Sequence, residues 1–312
     1  MGLPINTHDY VPLRVRRRRR STRRPIYAAL TLLAIVAALV LLDRACIQAA
    51  PAPAPPGAKR AQAADPVVPG LSSGACASFA PTAGNRGRTV FIDPGHGGPD
   101  PGVVGRSSVR EAAVALAVSQ EVTRRLRADG YGVVLSRTSD TSVTRIGPDE
   151  ITGASMSSDQ VRQDLQARIR CANATGAAAL LSIHFNGYPD NTISGSQTIY
   201  DAARPFAPDS RRLAESLQTA LLKGLQLADR GVRTDDQLDA PTLSERADSY
   251  GHLVLLGPAE PGWVDEGTSM PGALVEPLFL TAPGEAWLAS SPAGQRRIAA
   301  ALVSGLEGYL AR

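Results

Sequence analysis

Four side chains suited to metal-dependent hydrolysis stand at or near the ends of apolar stretches of this chain. His96 and His184 each follow an apolar run, and they are two of only four histidines in 312 residues. Glu111 comes 15 residues after His96, and Glu276 ends a later apolar run. Catalytic zinc takes three imidazole or carboxylate ligands and keeps a fourth position for water. These residue types predict a zinc hydrolase site with one carboxylate left as a base.

Each of these residues also has a purely structural interpretation. A histidine at a strand end is commonly a satisfied polar residue, and Glu111 at the start of a helix would complement the helix dipole. Glu276 would serve equally well as an ion-pair partner. Spacing alone leaves both interpretations open.

The segments around these residues predict an α/β fold. Apolar runs predict strands, and near-helical spacing of apolar residues predicts helices that end at glycines. Their alternation is typical of a single domain with a largely parallel central sheet flanked by helices. Ligand sites gather at the carboxyl ends of such strands. The predicted strands are residues 89–93, 132–136, 178–184, 195–200 and 273–278, and the predicted helices are residues 107–129, 159–175, 208–224 and 294–310.

The N-terminal part of the chain has the composition of an export segment. Residues 1–25 form a basic tail of net charge +7, which leaves −3 for the rest of a chain whose total is +4. Residues 26–42 are uncharged, near the lower length limit for a membrane span, and the arginines before them should stay cytoplasmic. A transmembrane anchor and a cleaved signal peptide both fit. Residues 43–85 read as a Pro/Ala-rich linker, and residues 86–312 as the catalytic domain.

This organisation predicts an extracytoplasmic protein, either membrane-anchored or secreted. The basic charge belongs to the tail, and only 4% of residues are aromatic, so no nucleic-acid partner is expected. The membrane is the partner of the N-terminal segment, and the catalytic domain is expected to be a monomer. Cys76 and Cys171 are expected to form a disulfide in an oxidising compartment, with two buried thiols as the alternative. Cys46 follows Asp43-Arg44, which does not resemble a lipidation site.

Six short motifs in order resemble the zinc-dependent N-acetylmuramoyl-L-alanine amidases of peptidoglycan, the amidase-3 family. Their order and spacing agree over about residues 88–311. The motifs are residues 93–102 (DPGHGGPDPG), Glu111, residues 135–140 (LSRTSD), Arg168 with Ala172 and Asn173, residues 182–186 (SIHFN), and residues 274–276 (LVE).

The resemblance implies that His96, Glu111 and His184 bind Zn²⁺ and that Glu276 is the general base. The implied reaction is hydrolysis of the amide bond between the lactyl group of N-acetylmuramic acid and L-alanine of the stem peptide. The resemblance implies that this reaction serves cell-wall remodelling or cell separation. Two alternatives are a catalytically inactive, amidase-like regulator that binds peptidoglycan and a different zinc peptidase, such as a carboxypeptidase.

The resemblance also implies roles for residues around the site. Asn186 and Asp100 are expected to position the substrate or the groups that support the metal ligands. Family members usually carry a glycine two residues after the catalytic glutamate, where this chain has Leu278. Two polar insertions, residues 141–158 and 229–249, are expected to be loops, and the second is acidic enough to approach the metal. His252 has no matching role in the family.

Overall fold

The computed structural model describes residues 64–147, 156–238 and 250–311. Strands and helices alternate through most of this part of the chain, as the periodicity predicts. The strands are β1 (Ala75–Phe79), β2 (Thr89–Pro94), β3 (Gly132–Arg137), β4 (Ala179–Ile183), β5 (Ser196–Tyr200), β6 (Asp229–Thr234) and β7 (Gly272–Glu276). The helices are α1 (Glu111–Ala128), α2 (Ser158–Asn173), α3 (Ala207–Leu225), α4 (Pro283–Ser290) and α5 (Pro292–Leu310).

The strands of the described region form one sheet in the order β1-β3-β2-β4-β7-β5-β6. The four central strands β3, β2, β4 and β7 are parallel. β1 pairs antiparallel with β3 at one side, and β5 pairs antiparallel with β7 at the other. β6 runs parallel to β5. The predicted α/β domain with a largely parallel sheet flanked by helices is therefore confirmed.

Both faces of the central strands are buried. Successive side chains of a strand point to opposite faces, and other elements pack against each face. Ile92 of β2 and Leu181 of β4 pack with apolar residues of α1, α3 and α5. Phe91 and Leu180 face the other way, toward α2 and the segment of residues 253–264. Strands buried on two faces read as continuous apolar runs, which is why the sequence identifies them.

A disulfide joins Cys76 of β1 to Cys171 of α2, with 5.6 Å between their Cα atoms. The predicted pairing is therefore present, and it fastens an edge strand to a helix 95 residues later in the chain. Because β1 belongs to the sheet, the folded domain begins before residue 86, within the stretch 43–85 interpreted as linker.

Three elements are absent from the predicted set. β1 was missed because it has only 5 residues, ACASF, without a β-branched side chain, and α4 is only 8 residues long. The expectation of a loop over residues 229–249 is wrong for β6, a half-exposed strand whose polar sequence DRGVRT carries little β-pattern. Residues 239–249 of the same insertion lie outside the described residues.

In the described part of the chain, no helix has the length and apolar character that a membrane crossing requires. The basic tail and the predicted anchor or signal at residues 26–42 lie outside the described residues, as do residues 43–63 of the predicted linker.

Candidate active site

The carboxyl ends of three parallel strands bring the predicted site residues together. β2 pairs with β4 and β4 with β7, so Pro94, Ile183 and Val275 lie side by side. The backbone pairing continues one residue further, because the His184 N–H donates to the Val275 carbonyl. His184 therefore leaves the sheet beside Glu276 and close to the loop that carries His96.

His96, His184 and Glu111 converge on one point. The His96 Nε2 atom lies 3.1 Å from His184 Nδ1 and 3.1 Å from Glu111 Oε1. The Glu111 Oε1 atom lies 3.0 Å from His184 Nδ1. Glu111 contributes from the first residue of α1, which approaches the sheet end from the side.

These three atoms have the arrangement that a zinc ion needs. Tetrahedral zinc with bonds of about 2.0–2.1 Å holds its ligand atoms about 3.3 Å apart, close to the distances seen here. Burial alone would lower the pKa of His96, but the charges of Glu111 and Asp100 outweigh it and raise that pKa to about 10. Without a metal, His96 therefore carries a proton, which a cation would replace.

Hydrogen bonds from outside the triad hold its side chains in place. Asp100 Oδ2 lies 2.7 Å from His96 Nδ1, which turns Nε2 toward the other two ligand atoms. Glu111 accepts from the backbone N–H groups of Val103 at 2.8 Å and Phe185 at 2.9 Å. Such support is usual around metal ligands, because it fixes the imidazole tautomer and the carboxylate orientation.

Gly95 is required because His184 packs directly against the backbone of the loop. A Cβ atom at Gly95 would lie 2.4 Å from His184 Cε1 and Nε2, far inside van der Waals contact. His96 itself has a φ of 59°, a left-handed conformation that non-glycine residues rarely adopt. Strain of this kind persists where the surrounding structure demands it, commonly at functional sites.

Two buried arginines hold the loop by its carbonyl groups. Arg137 donates to the carbonyls of Pro94 at 3.0 Å and Gly95 at 2.7 Å. Arg168 donates to the carbonyl of His96 at 2.7 Å. The backbone that presents His96 is thus tied to β3 and α2 at three successive residues.

Glu276 presents a carboxylate with no fixed partner. Its Oε2 atom is buried and makes no hydrogen bond within the described residues. Burial, followed by the charge of Glu111, raises the pKa of Glu276 to about 8. The residues after it keep regular pairing, since the Leu278 carbonyl accepts from the Asn186 N–H at 3.0 Å. The leucine in place of the family's glycine is fully buried in the core.

A cavity of about 500 Å³ contains the triad and Glu276 together. Asp100 and Asn186 lie on its lining beside them. One wall is apolar and comes from the segment of residues 253–256, together with Ile199 and Leu274. A polar floor facing an apolar wall is the usual composition of a small-molecule site.

The family model described as N-acetylmuramoyl-L-alanine amidase matches residues 90–308, which is most of the chain. This chain belongs to the amidase-3 family. The match contains His96, Glu111, His184 and Glu276. It also contains all strands of the sheet except β1.

Relatives of this amidase-3 chain agree in sequence and in fold. It is 29% identical over 223 residues to the germination-specific N-acetylmuramoyl-L-alanine amidase of Bacillus subtilis, covering 72% of this chain and 80% of the relative. A solved amidase of Clostridium difficile 630 is 27% identical, with a TM-score of 0.52 over 72% of this chain and 97% of that one. The CwlD amidase of Clostridioides difficile, solved with the GerS lipoprotein, has the same fold at 24% identity, with a TM-score of 0.57 and coverage of 72% and 98%.

The structure thus brings residues of several amidase-3 motifs together in one cavity, and it shows contacts that the sequence did not indicate. Arg137 and Arg168 belong to two of the six motifs, but the sequence did not predict their hydrogen bonds to the backbone of the His96 loop. The apolar wall of residues 253–256 was missed because nothing in a short aliphatic run indicates which cavity it lines. His252, also without an assigned role, lies next to this wall and away from the triad.

Proposed function

We propose that this chain hydrolyses the amide bond between the lactyl group of N-acetylmuramic acid and L-alanine, with Zn²⁺ held by His96, Glu111 and His184. As a member of its family it is a hydrolase of the N-acetylmuramoyl-L-alanine amidase class, and cell-wall peptidoglycan is its substrate. One observation carries the assignment of a working site. Glu276 lines the same cavity as the triad, and its buried Oε2 atom has no hydrogen-bond partner within the described residues.

The side chains divide the reaction among them. Bound zinc would supply a water of pKa about 7 and polarise the scissile carbonyl. Glu276 takes a proton from the attacking water and delivers it to the amide nitrogen as the carbon–nitrogen bond breaks. The products are a lactyl carboxylate on the sugar and the free amine of L-alanine. Asp100 keeps the His96 ring oriented, and Asn186 offers an amide to the bound substrate.

The test compares the wild-type chain with Glu276→Gln, each purified with zinc and incubated with N-acetylmuramoyl-L-alanyl-D-isoglutamine and with peptidoglycan. Mass spectrometry measures the released peptide, and elemental analysis measures the zinc. We expect Glu276→Gln to keep its zinc and to lose about 10²–10⁴-fold in rate, because it cannot carry the proton. Glu215→Gln, at an exposed carboxylate on α3, is the control and should stay at the wild-type rate.

The same experiment decides between the proposal and its alternatives. A wild-type chain that binds zinc and peptidoglycan but releases no peptide would be the inactive regulator. Release of a C-terminal amino acid in place of the whole stem peptide would identify a carboxypeptidase. Equal rates for Glu276→Gln and the wild type would remove Glu276 from its assigned role.

We further propose that the protein acts outside the cytoplasm, either anchored by residues 26–42 or released after their cleavage. A peptidoglycan substrate, the basic residues that precede an uncharged stretch, and the disulfide all support this location.

A further inference from the structure

A second group of metal-binding side chains lies at the other end of the sheet. Asp201 directly follows β5, Asp235 directly follows β6, and His252 begins the segment that reaches the cavity wall. β5 runs antiparallel to β7, with Ile199 opposite Leu274. The carboxyl ends of β5 and β6 are therefore at the edge of the sheet opposite the triad, and the two clusters are separate.

The facing atoms of this cluster lie close together, and His252 forms ion pairs with both carboxylates. Asp201 is 1% exposed, and its Oδ2 atom lies 2.7 Å from His252 Nδ1. Both atoms are buried, and neither makes an aligned hydrogen bond within the described residues. The Asp235 Oδ2 atom lies 3.7 Å from the same nitrogen, and Asp235 is also 1% exposed. One ligand atom of each of the three residues lies within 4.8 Å of the other two, a spacing that a single cation can bridge.

Each of the two carboxylates also accepts one hydrogen bond from the backbone. The other oxygen of Asp201 accepts from the Ala203 N–H at 2.7 Å, and Asp235 accepts from the Leu253 N–H at 2.9 Å. Arg204 is near, but its terminal nitrogens donate to the carbonyls of Gly257 and Thr268.

Among the described residues, the ion-pair partner of Asp201 and Asp235 is the single imidazole of His252, and no lysine or arginine joins it. Two buried carboxylates side by side are costly unless a positive charge joins them.

We propose that Asp201, Asp235 and His252 bind a second divalent transition cation of the zinc class, with a structural role. Imidazole nitrogen with carboxylate oxygen suits zinc and its neighbours, whereas calcium and magnesium prefer oxygen alone. The proposal rests on this cluster and does not depend on amidase activity.

The position of the cluster explains what the cation would stabilise. Asp235 already holds the backbone of Leu253, and His252 precedes it. The next residues, 253–256, form the apolar wall of the catalytic cavity. A cation shared by the ends of β5 and β6 and by His252 would fasten this wall to the sheet.

The decisive measurement is the zinc content of the untagged full chain in detergent, after equilibration with zinc and removal of the excess. We expect about two ions per chain in the wild type, about one in His184→Ala, about one in Asp201→Asn and none in the double variant. Asp201→Asn should fold, because its remaining oxygen can still accept from Ala203. Asp190→Asn is the matched control, since Asp190 accepts from an N–H two residues later in the same way but is exposed.

The possible outcomes separate this proposal from the catalytic one. One ion in the wild type, none in His184→Ala and no change in Asp201→Asn would overturn the second site and leave the first. One ion in the wild type and in His184→Ala, with none in Asp201→Asn, would instead support the second site and contradict the assigned catalytic ligands.

A melting experiment gives an independent readout in the His184→Ala background. Zinc chloride should raise the melting temperature by several degrees, because a ligand bound only to the folded state stabilises it. The added variants Asp201→Asn and His252→Gln should each abolish this rise, and Asp190→Asn should not. Calcium chloride should leave the melting temperature unchanged. An equal rise in all variants, or a rise with calcium equal to that with zinc, would overturn the proposal.

Discussion

At the scale of single residues, the site depends on close packing between the loop backbone and the side chains of the triad. Gly95 lets the His184 ring lie against the loop, and Asp100 turns the His96 ring so that its Nε2 atom faces the triad. The Oε2 atom of Glu276, by contrast, has no hydrogen-bond partner in the part of the chain that the structure describes. Tight support of the ligands beside a free carboxylate is the arrangement that hydrolysis requires, because the base must be available to the reacting water.

Replacement of Gly95 by alanine is expected to remove the metal. The new methyl group would meet the His184 ring at 2.4 Å, so the imidazole must leave its position. Zinc content should fall by about an order of magnitude or more, in line with the sensitivity of metal sites to their surroundings. Gly284→Ala is the control, because a Cβ atom there meets nothing within 4 Å. Full zinc content in Gly95→Ala would show that the loop tolerates the methyl group.

Glu276→Gln is expected to stabilise the metal-free protein in a pH-dependent way. The pKa of Glu276 rises to about 8 on folding from an ordinary value of 4.5. Below about pH 4.5 the carboxyl is neutral in both states, so the variants should be equally stable. The cost of the buried charge grows between about pH 4.5 and 8 and is constant above that.

The measurement is urea unfolding of both proteins in EDTA from pH 4.5 to 9. The difference in unfolding free energy should favour Glu276→Gln increasingly up to about pH 8. A difference that does not change with pH would contradict the raised pKa.

At the scale of elements, β2 and α2 are joined by a buried ion pair beneath the active-site loop. Arg168 lies 2.7 Å from Asp93 and is 2% exposed. Burial alone would raise the pKa of Asp93, but Arg168 and the hydroxyls of Ser136 and Ser182 outweigh it, and the pKa is lowered. Asp93 is thus a buried, charged carboxylate near the carboxyl end of β2, and Arg168 supplies the opposite charge.

Arg168→Met is expected to destabilise the protein by about 3–5 kcal/mol, because it leaves the Asp93 charge buried without a partner. Arg211→Met is the control, since Arg211 pairs with Glu215 on the exposed face of α3 and such pairs contribute about 0–1 kcal/mol. Urea unfolding at pH 7 measures both variants. Similar small effects in the two variants would mean that Asp93 finds another partner.

At the scale of the whole molecule, the disulfide and the sheet define one folded unit that begins upstream of the first sequence motif. The Ser78 N–H donates to Asp65, and Ser72 donates to the Thr144 carbonyl, so residues from 65 onward belong to it. A catalytic domain for study should therefore start near residue 64 rather than at residue 86.

Under the anchor hypothesis, deletion of residues 1–42 is expected to move the protein from the membrane fraction to the soluble fraction. The reason is the loss of a stretch of 17 residues without charge, which partitions into a bilayer. Deletion of residues 43–63 alone is the control and should leave the protein in the membrane fraction. The intact mass of the native protein distinguishes an anchor from a cleaved signal. A full chain found in the soluble cytoplasmic fraction would contradict the proposed location.

The chemistry of the site could be predicted from the sequence because the prediction depends on local features of the chain. Residue type, position at the end of an apolar run and the order of six motifs are all properties of the linear chain. They were enough to predict the α/β fold, which is confirmed, and to propose side chains that the structure brings together in one cavity. β6 escaped prediction because an edge strand with few buried side chains leaves little periodicity to detect.

Only the tertiary structure decided which distant residues support that chemistry. Arg168 reaches Asp93 across 75 residues, and Cys76 reaches Cys171 across 95. The wall of residues 253–256 and the cluster of Asp201, Asp235 and His252 likewise arise where strand order brings separate segments together. Close packing and ion pairing act between neighbours in space, so strand order and direction had to be known before these contacts were visible.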